Sequence, residues 1–369
     1  MAAPWVLLGR FAALGADDEE AEEHAPDFSF VLRAPPRVTF LTAARRVHPD
    51  PGGYIDPEPW ILAAGRAGAL FRFALGPGHG ADVDRVLVVA RNFVRAAAGD
   101  PRAATTASAE LIPRRAAPMP VTYGPGRVGM VPLNDGHAYL IAELSRTDIT
   151  SAKLLVFYSG GDEWVERDMA IPLPAQGREW NLVGVISHGN HLWWVDPSWA
   201  LLSCSPFDPA PDLLVHYLPP DSLLENFHAG LPNERCVCKS DTMLLFAEIT
   251  RDRGSEAAAV SVWRRIPDPF GSGETAAWDK LYEMSFAEIW SDDSYKATQL
   301  PARVPGIVLV SPSDFRLVYF VLERRTFGVR VPDRQVVEFV ADPAPPPQWV
   351  SSISVLPWIL PPTISDVRA

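Results

Sequence analysis

Proline and glycine are spread over the whole chain, and their spacing limits which elements the chain can form. The 369 residues include 37 prolines and 25 glycines. Both residue types interrupt helices, and proline also lacks the backbone donor that a helix or a central strand needs. Long helices therefore have little room. The chain is restricted to short segments joined by turns.

The segments between these breaks are rich in β-branched and aromatic residues, and each has about the length of one strand. They lie at residues 28–32, 86–89, 139–144, 154–158, 213–218, 244–249, 259–263, 306–310, 317–322 and 336–340. We therefore predict an all-β protein. A helix fits only in short pieces, such as residues 85–98 and 221–227.

One of these segments recurs along the chain. Residues 138–144 (AYLIAEL) and 243–249 (MLLFAEI) differ by conservative changes, and residues 318–324 (VYFVLER) form a looser copy. The segment HLWWVD, which begins at His191, lies halfway between the first two copies. Each of those two copies is followed by another strand-like segment, a turn and a tryptophan, Trp164 or Trp278.

Strands, a Gly-rich turn and a tryptophan that recur at about 50 residues are typical of a kelch-type β-propeller. One such sheet cannot bury both of its faces, so several sheets pack radially with the tryptophans between them. We predict a β-propeller-like domain of about six degenerate blades that spans residues 1–369. Two paired β-sandwiches are the alternative, because they would also contain many short strands.

Three further expectations concern the ends, the loops and the paired tryptophans. Residues 358–365 are expected to close the ring by pairing with an N-terminal strand such as residues 5–8, which removes the exposed sheet edges. Residues 16–26 and 95–120 are predicted to be flexible loops. Trp193 and Trp194 are expected to lie on opposite faces of one strand, with one of them against an adjacent sheet.

Composition excludes several classes of function. The formal net charge is -12, which disfavours nucleic-acid binding because phosphate backbones are negative. No run approaches the roughly 20 apolar residues that cross a bilayer. The N-terminus lacks a positive start and is soon followed by the acidic residues 17–20, so no secretory signal is predicted. We expect a cytoplasmic or nuclear protein that contacts neither membrane nor nucleic acid.

Metal and cofactor sites are not predicted either. The three cysteines, Cys204, Cys236 and Cys238, are too few for a disulfide framework, and Cys236 and Cys238 lack two further ligands at zinc spacing. His188 and His191 have an H-x-x-H spacing, but Gly189 and the asparagine after it are typical of a hairpin turn between them.

No catalytic constellation is found, and no catalytic residue is predicted. The chain contains no G-x-S-x-G motif that would expose a serine nucleophile. Neighbouring acidic residues such as Asp292 and Asp293 are expected to be solvated loop charges. An enzyme or ligand site in a central funnel stays open as the alternative. Its residues would converge there from separate segments: Asp135, His137, Glu143, Glu248 and Arg253.

The segment 286–295 (FAEIWSDDSY) is dense in aromatic and acidic residues. Trp290 and Tyr295 flank acidic residues and could form a surface that recognises a basic partner. Alternatively, Phe286, Ile289 and Trp290 belong to the core, and the two aspartates form a turn. The core interpretation is favoured.

The chain resembles plant proteins that carry domain of unknown function 1618, a group expanded in grasses. The resemblance rests on residues 35–38, 188–207, 218–219, 285–301, 318–320, 327–329 and 358–362. Two positions depart from the family pattern. Pro197-Ser-Trp-Ala200 stands where the family has Leu-Ser-Trp-Gly, and Cys204-Ser-Pro-Phe207 stands where it has Cys-Asp-Pro-Phe.

The resemblance implies a fold similar to the propeller-like domains associated with F-box proteins, and it implies no reaction. Its signature residues are expected to be structural. They are Trp193, Trp194, Asp196, Trp199, Pro206, Phe207, Phe286, Trp290 and Tyr295. We predict a non-enzymatic scaffold that binds an unknown protein partner and no cofactor; the alternative is an enzyme or small-ligand binder with a site in the central funnel.

Overall fold

The computed structural model describes residues 4–15, 26–47, 59–75, 84–96, 103–114, 126–251, 257–266, 278–341 and 352–364. In these ranges the chain is all-β and propeller-like, with 26 short strands in six sheets. The prediction of the fold class is confirmed. Two details differ from the kelch-type prediction of about six blades: only five sheets contain four or more strands, and one of those is extended to seven.

Blades 2 to 5 are four-stranded sheets in which each strand pairs antiparallel with the next one along the chain. Blade 2 contains β10 (Val128–Leu133), β11 (Ala138–Arg146), β12 (Ser151–Tyr158) and β13 (Val165–Ala170). Blade 3 contains β14 (Gly184–His188), β15 (His191–Asp196), β16 (Ala200–Cys204) and β17 (Leu214–Tyr217). Blade 4 contains β18 (Arg235–Ser240), β19 (Met243–Arg251), β20 (Ala258–Arg265) and β21 (Trp278–Ser285). Blade 5 contains β22 (Gly306–Val310), β23 (Leu317–Leu322), β24 (Arg325–Arg330) and β25 (Gln335–Phe339).

Blade 1 and a closing sheet complete the ring. Blade 1 contains β6 (Trp60–Gly65), β7 (Gly68–Leu75), β8 (Asp84–Arg95) and β9 (Thr105–Leu111), and it is extended by β3 (Phe28–Phe30), β5 (Leu41–Ala43) and β2 (Ala13–Leu14). The closing sheet contains β26 (Val355–Ile359), β1 (Trp5–Gly9) and β4 (Val38–Thr39). It differs from the blades because it has three strands, and its β1 and β4 run parallel, as β2 and β5 do in the extension of blade 1.

The repeat found in the sequence corresponds to one position in the blades. The three copies and the HLWWVD segment are β11, β19, β23 and β15, each the second strand of its sheet. The predicted unit therefore began one strand too late. It omitted the innermost strand of each blade and named the outer strands after Trp164 and at Trp278 as the third strand, although these are the fourth.

Hydrophobic clusters lie between neighbouring sheets around the ring. The strand β15 shows the arrangement, because its side chains alternate between two clusters. Trp194 packs with blade 2 residues such as Leu140, whereas Trp193 packs with blade 4 residues such as Phe246. The prediction that the two tryptophans face opposite ways is confirmed, and both of them face an adjacent sheet.

The chain ends close the ring. β1 pairs antiparallel with β26, with Trp5 opposite Ile359 and Gly9 opposite Val355. The predicted pairing of the C-terminal segment with the N-terminal strand is confirmed, but the strand lies earlier than predicted: of residues 358–365, only Trp358 and Ile359 belong to β26, and Pro362–Ile364 forms a 3₁₀ turn. Trp358 is fully buried in the cluster between the closing sheet and blade 1, and its Nε1 donates to the Gly65 carbonyl at 3.1 Å.

Helices are short, and the two helix predictions are wrong. Residues 85–98 fall mainly in β8, because Val86, Val88 and Val89 are β-branched and pair with β7. Within 221–227 only the end of the 3₁₀ turn Pro220–Ser222 is helical. The α-helices are α1 (Leu173–Gln176), α2 (Leu231–Glu234), α3 (Phe286–Ser291) and α4 (Asp293–Ala297), and the other 3₁₀ turns are Arg45–Val47, Asn134–Gly136, Val331–Asp333 and Pro362–Ile364.

The structure describes only part of the two predicted loops, residues 16–26 and 95–120. The range 95–120 contains β9, which pairs with β8 and β3 in blade 1. Nearly all of the range 16–26 lies outside the described residues. Among the described helices, none has both the length and the apolar composition needed to cross a membrane.

Truncation of Trp358 should destabilise the closed ring. We expect Trp358→Ala to lower the free energy of unfolding by about 3–5 kcal/mol, because the change leaves a cavity between the closing sheet and blade 1. Urea denaturation followed by circular dichroism measures it. Leu173→Ala, at a side chain that is 82% exposed, is the control and should change the value by less than about 0.5 kcal/mol. Equal effects of the two substitutions would show that the closure does not limit stability.

Candidate functional site

The described chain contains a channel of about 1230 Å³ along the axis of the ring. The innermost strand of every sheet contributes to its wall: β6, β10, β14, β18, β22 and β26. Radial packing of sheets leaves such a space wherever the innermost strands cannot meet. Its wall is mixed, with apolar residues such as Val185 and Leu309 beside charged and hydroxyl groups.

Cations outnumber anions among the described residues of the channel wall. The cations are Arg10, Arg66, Arg235, Lys239 and Arg316, and the anions are Asp241 and Asp314. This balance is opposite to that of the whole chain, whose formal net charge is -12. The channel is therefore a local environment that differs in sign from the protein as a whole.

Arg235 and Arg316 have carboxylate partners. Arg235 Nη2 lies 3.2 Å from Glu248 Oε2, and the hydroxyl of Ser222 donates to Glu248 Oε1 at 2.6 Å. Arg316 Nε lies 3.0 Å from Asp314 Oδ1. These two guanidinium groups are neutralised within the protein.

Arg10 is different, because it is only 3% exposed and no described carboxylate pairs with it. Its Nη1 donates to the carbonyls of Ile61 and Leu62 at 3.2 and 2.9 Å, and its Nε has no hydrogen-bond partner. Burial lowers the pKa of Arg10 to about 10, which leaves the side chain charged at neutral pH. No sequence pattern predicts a role for Arg10, since a lone arginine after an apolar strand is common.

The residues named for a funnel site do not converge on the channel. Asp135, His137, Glu143 and Glu248 are absent from its described wall, and Arg253 lies outside the described residues. Glu143 and Glu248 occupy the same position in β11 and β19, and both are buried. Both carboxylates therefore lie inside the sheet packing.

The tryptophan segment is buried in blade 3. Trp193 Nε1 donates to the His188 carbonyl at 3.0 Å, and Trp194 Nε1 donates to the Arg127 carbonyl at 2.7 Å. Trp199 is 2% exposed, with the guanidinium of Arg178 5.0 Å above its ring centroid. These contacts connect blade 3 to its surroundings and expose no aromatic box to a ligand.

Asp196 and the Pro206–Phe207 pair hold turns of the same blade. Asp196 Oδ1 accepts from the backbone N–H and the hydroxyl of Ser198 at 3.0 and 2.5 Å, and its Oδ2 accepts from Asn181 N at 2.8 Å. The carbonyl of Pro206 accepts from Arg167 at 2.6 Å, and Phe207 packs against the cluster between blades 2 and 3.

The segment 286–295 forms α3 and the start of α4, packed on blades 4 and 5. Phe286 and Tyr295 are buried, and Trp290 is partly buried and stacks on Phe286 at 6.1 Å. Asp292 caps α4 by accepting from Ser294 N at 2.8 Å. This packing agrees with the core interpretation. A capping box between Ser285 and Glu288 starts α3.

The two spaced histidines form a hairpin. His188 and His191 pair across the β14–β15 turn, where Gly189 and Asn190 have φ values of 60° and 61°. That turn is the one expected from the sequence. The described residues contain no cluster of three or more metal-ligating groups. Burial raises the pKa of Cys204 to about 12, and the neighbouring Cys238 thiol and burial raise that of Cys236, so these thiols stay protonated.

A serine and a histidine that the sequence did not connect meet inside blade 3. Ser203 Oγ lies 2.8 Å from His216 Nε2, and Arg265 Nη2 lies 3.1 Å from His216 Nδ1. Because a guanidinium only donates, Nδ1 must accept and Nε2 must carry the proton. His216 therefore donates to Ser203 and cannot act as its base. Both residues are buried, at 0% and 3% exposure, so the pair is inaccessible to a substrate.

One family model matches the central part of the chain. Residues 194–319 match the family model described as Protein of unknown function (DUF1618). The matched range runs from β15 to β23, so it covers most of blade 3, blade 4 and the first half of blade 5. The match supports the resemblance derived from the sequence. No curated protein matches the chain.

Solved structures are similar to the chain only at a distance. An α-L-arabinanase of Penicillium chrysogenum, complexed with arabinobiose, has a TM-score of 0.35 and 11% identity over 76% of this chain and 80% of that one. AztD of Citrobacter koseri has a TM-score of 0.35 and 12% identity over 93% and 83%. The GH93 α-L-arabinofuranosidase of Fusarium graminearum has a TM-score of 0.32 and 11% identity over 75% and 78%. No activity is transferred from these proteins.

Loss of the Asp196 carboxylate should destabilise blade 3. We expect Asp196→Ala to lower the free energy of unfolding by about 1–3 kcal/mol, because the buried donors of Ser198 and the half-buried N–H of Asn181 lose their acceptor. Urea denaturation measures the change, with the exposed Asp208→Ala as the control. A loss no larger than that of the control would contradict the role assigned to these hydrogen bonds.

Protonation of His188 should contribute to acid destabilisation. Burial, aided by the charges of Lys239 and Arg265, lowers the pKa of His188 below its usual value of about 6.5. The unfolded chain therefore takes up this proton at a higher pH than the folded chain, and stability falls as the pH drops below about 7. We expect His188→Gln to reduce the loss of stability between about pH 7 and pH 5.

Urea midpoints at both pH values test this expectation. His228→Gln, at an imidazole whose side chain is 53% exposed, provides the matched control and should keep the wild-type pH dependence. An unchanged pH dependence in His188→Gln would show that His188 does not contribute.

Proposed function

We propose that the protein binds a small molecule in its central channel and does not transform it. The observation that carries this proposal is the channel itself, about 1230 Å³ in volume and lined by the innermost strands of all six sheets. Its mixture of apolar wall and separate polar groups is typical of ligand sites. A ring of packed sheets also keeps the wall in place without a ligand, which limits the ordering cost of binding.

We also propose that the protein catalyses no reaction. The environments of its candidate bases and nucleophiles support this. Among the described residues, Ser203 and His216 are buried, and His216 carries its proton on Nε2, so it cannot act as a base toward Ser203. Glu248 is neutralised by Arg235, and the raised pKa values of Cys204 and Cys236 keep these two thiols protonated. The distribution of these groups favours recognition over bond making or breaking.

A second candidate is the protein-interaction scaffold predicted from the sequence. It is favoured by apolar side chains on the outer surface where blades 1 and 2 meet. Trp164 Nε1 donates to the Pro113 carbonyl at 2.8 Å, and beside this contact Leu111 and Val165 are 58% and 46% exposed. A partner would bury this surface. We propose the cytoplasm or nucleus as the setting, and the family resemblance favours a plant cell.

A side chain at position 184 should block ligand binding. Gly184 lies on the channel wall, and a Cβ there would meet only Arg10 Nη2, at 3.7 Å. We therefore expect Gly184→Leu to fold and to occupy the channel. Thermal-shift screening against nucleotides, sugars, amino acids and organic acids should yield ligands that stabilise the wild type and not this variant.

The matched control is Gly177→Leu, because Gly177 is exposed and has no atom within 4 Å of its Cβ position. It should respond to ligands as the wild type does. Ligands that stabilise wild type and Gly184→Leu equally would place the binding site outside the channel and contradict the proposal.

The scaffold candidate has a separate test. Leu111→Asp and Val165→Asp should each remove a partner identified by proximity labelling, since a charge there opposes burial. Leu173→Asp, on an exposed side chain of α1 between blades 2 and 3, should keep that partner. A partner set that is the same in all three variants would contradict the assigned surface.

A further inference from the structure

We infer that Arg10 forms an anion-binding subsite in the central channel, where it takes the carboxylate or phosphate group of a small organic ligand. This inference rests on the proposed ligand-binding function and adds the chemistry of the ligand. The subsite lies at the end of the channel where the innermost strands begin. Arg10 contacts Ile61 and Leu62 near the start of β6, and it lies beside Gly184, the first residue of β14.

The buried charge of Arg10 lacks a counterion among the described residues. The other arginine buried in the channel wall, Arg235, has Glu248 within 3.2 Å. Arg10 has only neutral partners, the carbonyls of Ile61 and Leu62. A buried charge is normally paired, because desolvation is costly. An anion bound in the channel would complete the pairing that the chain leaves open.

The geometry of the guanidinium separates its structural contacts from its free edge. Both side-chain hydrogen bonds from Arg10 to β6 come from Nη1, and the backbone N–H of Ile61 donates to the Arg10 carbonyl at 2.7 Å. The edge formed by Nε and Nη2 has no hydrogen-bond partner in the described chain. Nε is buried, so the donor that faces the channel is Nη2, beside Gly184. From Nη2 the guanidinium can donate one charge-assisted hydrogen bond to an oxygen of a carboxylate or phosphate.

The wall opposite Arg10 provides space for the anion. Position 184 on β14 is a glycine, and even a Cβ there would stand 3.7 Å from Nη2. Because no side chain fills this position, a ligand group can approach the guanidinium from the channel. The φ angle of Gly184 is not in the left-handed region, so backbone strain does not require glycine there.

The remaining wall indicates what the anion is attached to. The channel volume of about 1230 Å³ exceeds that of an inorganic ion many times. Its apolar wall residues include Ala63, Met130, Val185, Val237 and Leu356. An organic anion with an apolar body fits this wall better than a free inorganic ion does.

Equilibrium binding to three probes tests the chemistry. The probes are hexanoate, inorganic phosphate and the uncharged analogue hexanol, measured by isothermal titration calorimetry on the full chain. We expect at least one anion to bind, and hexanol to bind at least about tenfold more weakly than hexanoate if the carboxylate is the preferred group. Hexanoate binding indicates a carboxylate ligand, and phosphate binding indicates a phosphorylated one; either result supports the subsite.

Substitution of Arg10 assigns the binding to this residue. Arg10→Gln should weaken anion binding at least about tenfold, which corresponds to the loss of one charge-assisted hydrogen bond. Arg66→Gln, on an exposed channel residue at the other end of β6, should change the affinity less than about twofold. Equal loss in both variants, or no loss in Arg10→Gln, would overturn the inference.

A second pair of variants keeps the test valid if Arg10→Gln does not fold. Gly184→Asp places a carboxylate next to Nη2, whereas Gly184→Asn is nearly the same size and uncharged. We expect Gly184→Asp to have the higher melting temperature of the two and to bind neither anion, because its own carboxylate pairs with Arg10. Equal melting temperatures, together with anion binding in Gly184→Asp, would overturn the inference.

The two proposals can fail separately. If hexanol and hexanoate bind equally well, and both are blocked by Gly184→Leu, the channel binds ligands but Arg10 does not select anions. If neither anion binds the wild type, the anion subsite is refuted. The broader screen described for Gly184→Leu then decides the ligand-binding function by itself.

Discussion

The structure depends on the burial of sheet faces against their neighbours around the ring. A sheet of short strands has two apolar faces and cannot cover both of them alone. In this chain the clusters of buried side chains lie between sheets, and single strands supply two clusters at once, as β15 does with Trp193 and Trp194. Each blade is therefore stable only in the presence of two neighbours, and the ring must be closed.

Ring closure by the two ends of the chain also places a positive charge in the channel wall. β1 pairs with β26, and immediately after β1 the backbone N–H of Arg10 donates to the Ser354 carbonyl at 2.9 Å. The strand pairing that closes the ring thus places a buried guanidinium at the channel wall. The ring closure and the proposed anion subsite share one structural element, which explains how an isolated charge can be held in place at this position.

The strands that the sequence predicts correctly are those whose side-chain pattern reflects local burial. The second strands β11, β15, β19 and β23 were found because their long apolar runs face clusters on both sides. Of the innermost strands in blades 1 to 5, only β22 was predicted. The others were missed because they are short and line a channel. For example, β14 and β18 carry polar residues such as His188 and Lys239 among their apolar ones. The error at residues 85–98 arose because strong pairing of β8 with β7 and β9 outweighed its mixed local pattern.

The residues of the candidate site could hardly be predicted from the sequence. The residues proposed for a funnel, such as Glu143 and Glu248, are common polar types on predicted strands, and the fold buries both carboxylates away from the channel wall. Arg10 and Gly184 are far apart in the chain and form no motif. Likewise, Ser203 and His216 meet only because β16 and β17 are adjacent.

The sequence by itself determined the all-β class, the repeated blade unit, the hairpin at His188 and His191, and the pairing of the chain ends. The first three follow from proline and glycine spacing, side-chain alternation and turn chemistry, which act over a few residues. The pairing of the chain ends follows from the need to leave no exposed sheet edge. Only the tertiary structure decided the number of strands in each sheet, the channel and the residues that line it. A channel wall takes one short strand from each of six sheets, and the relative positions of those strands are set by long-range packing that no local pattern encodes.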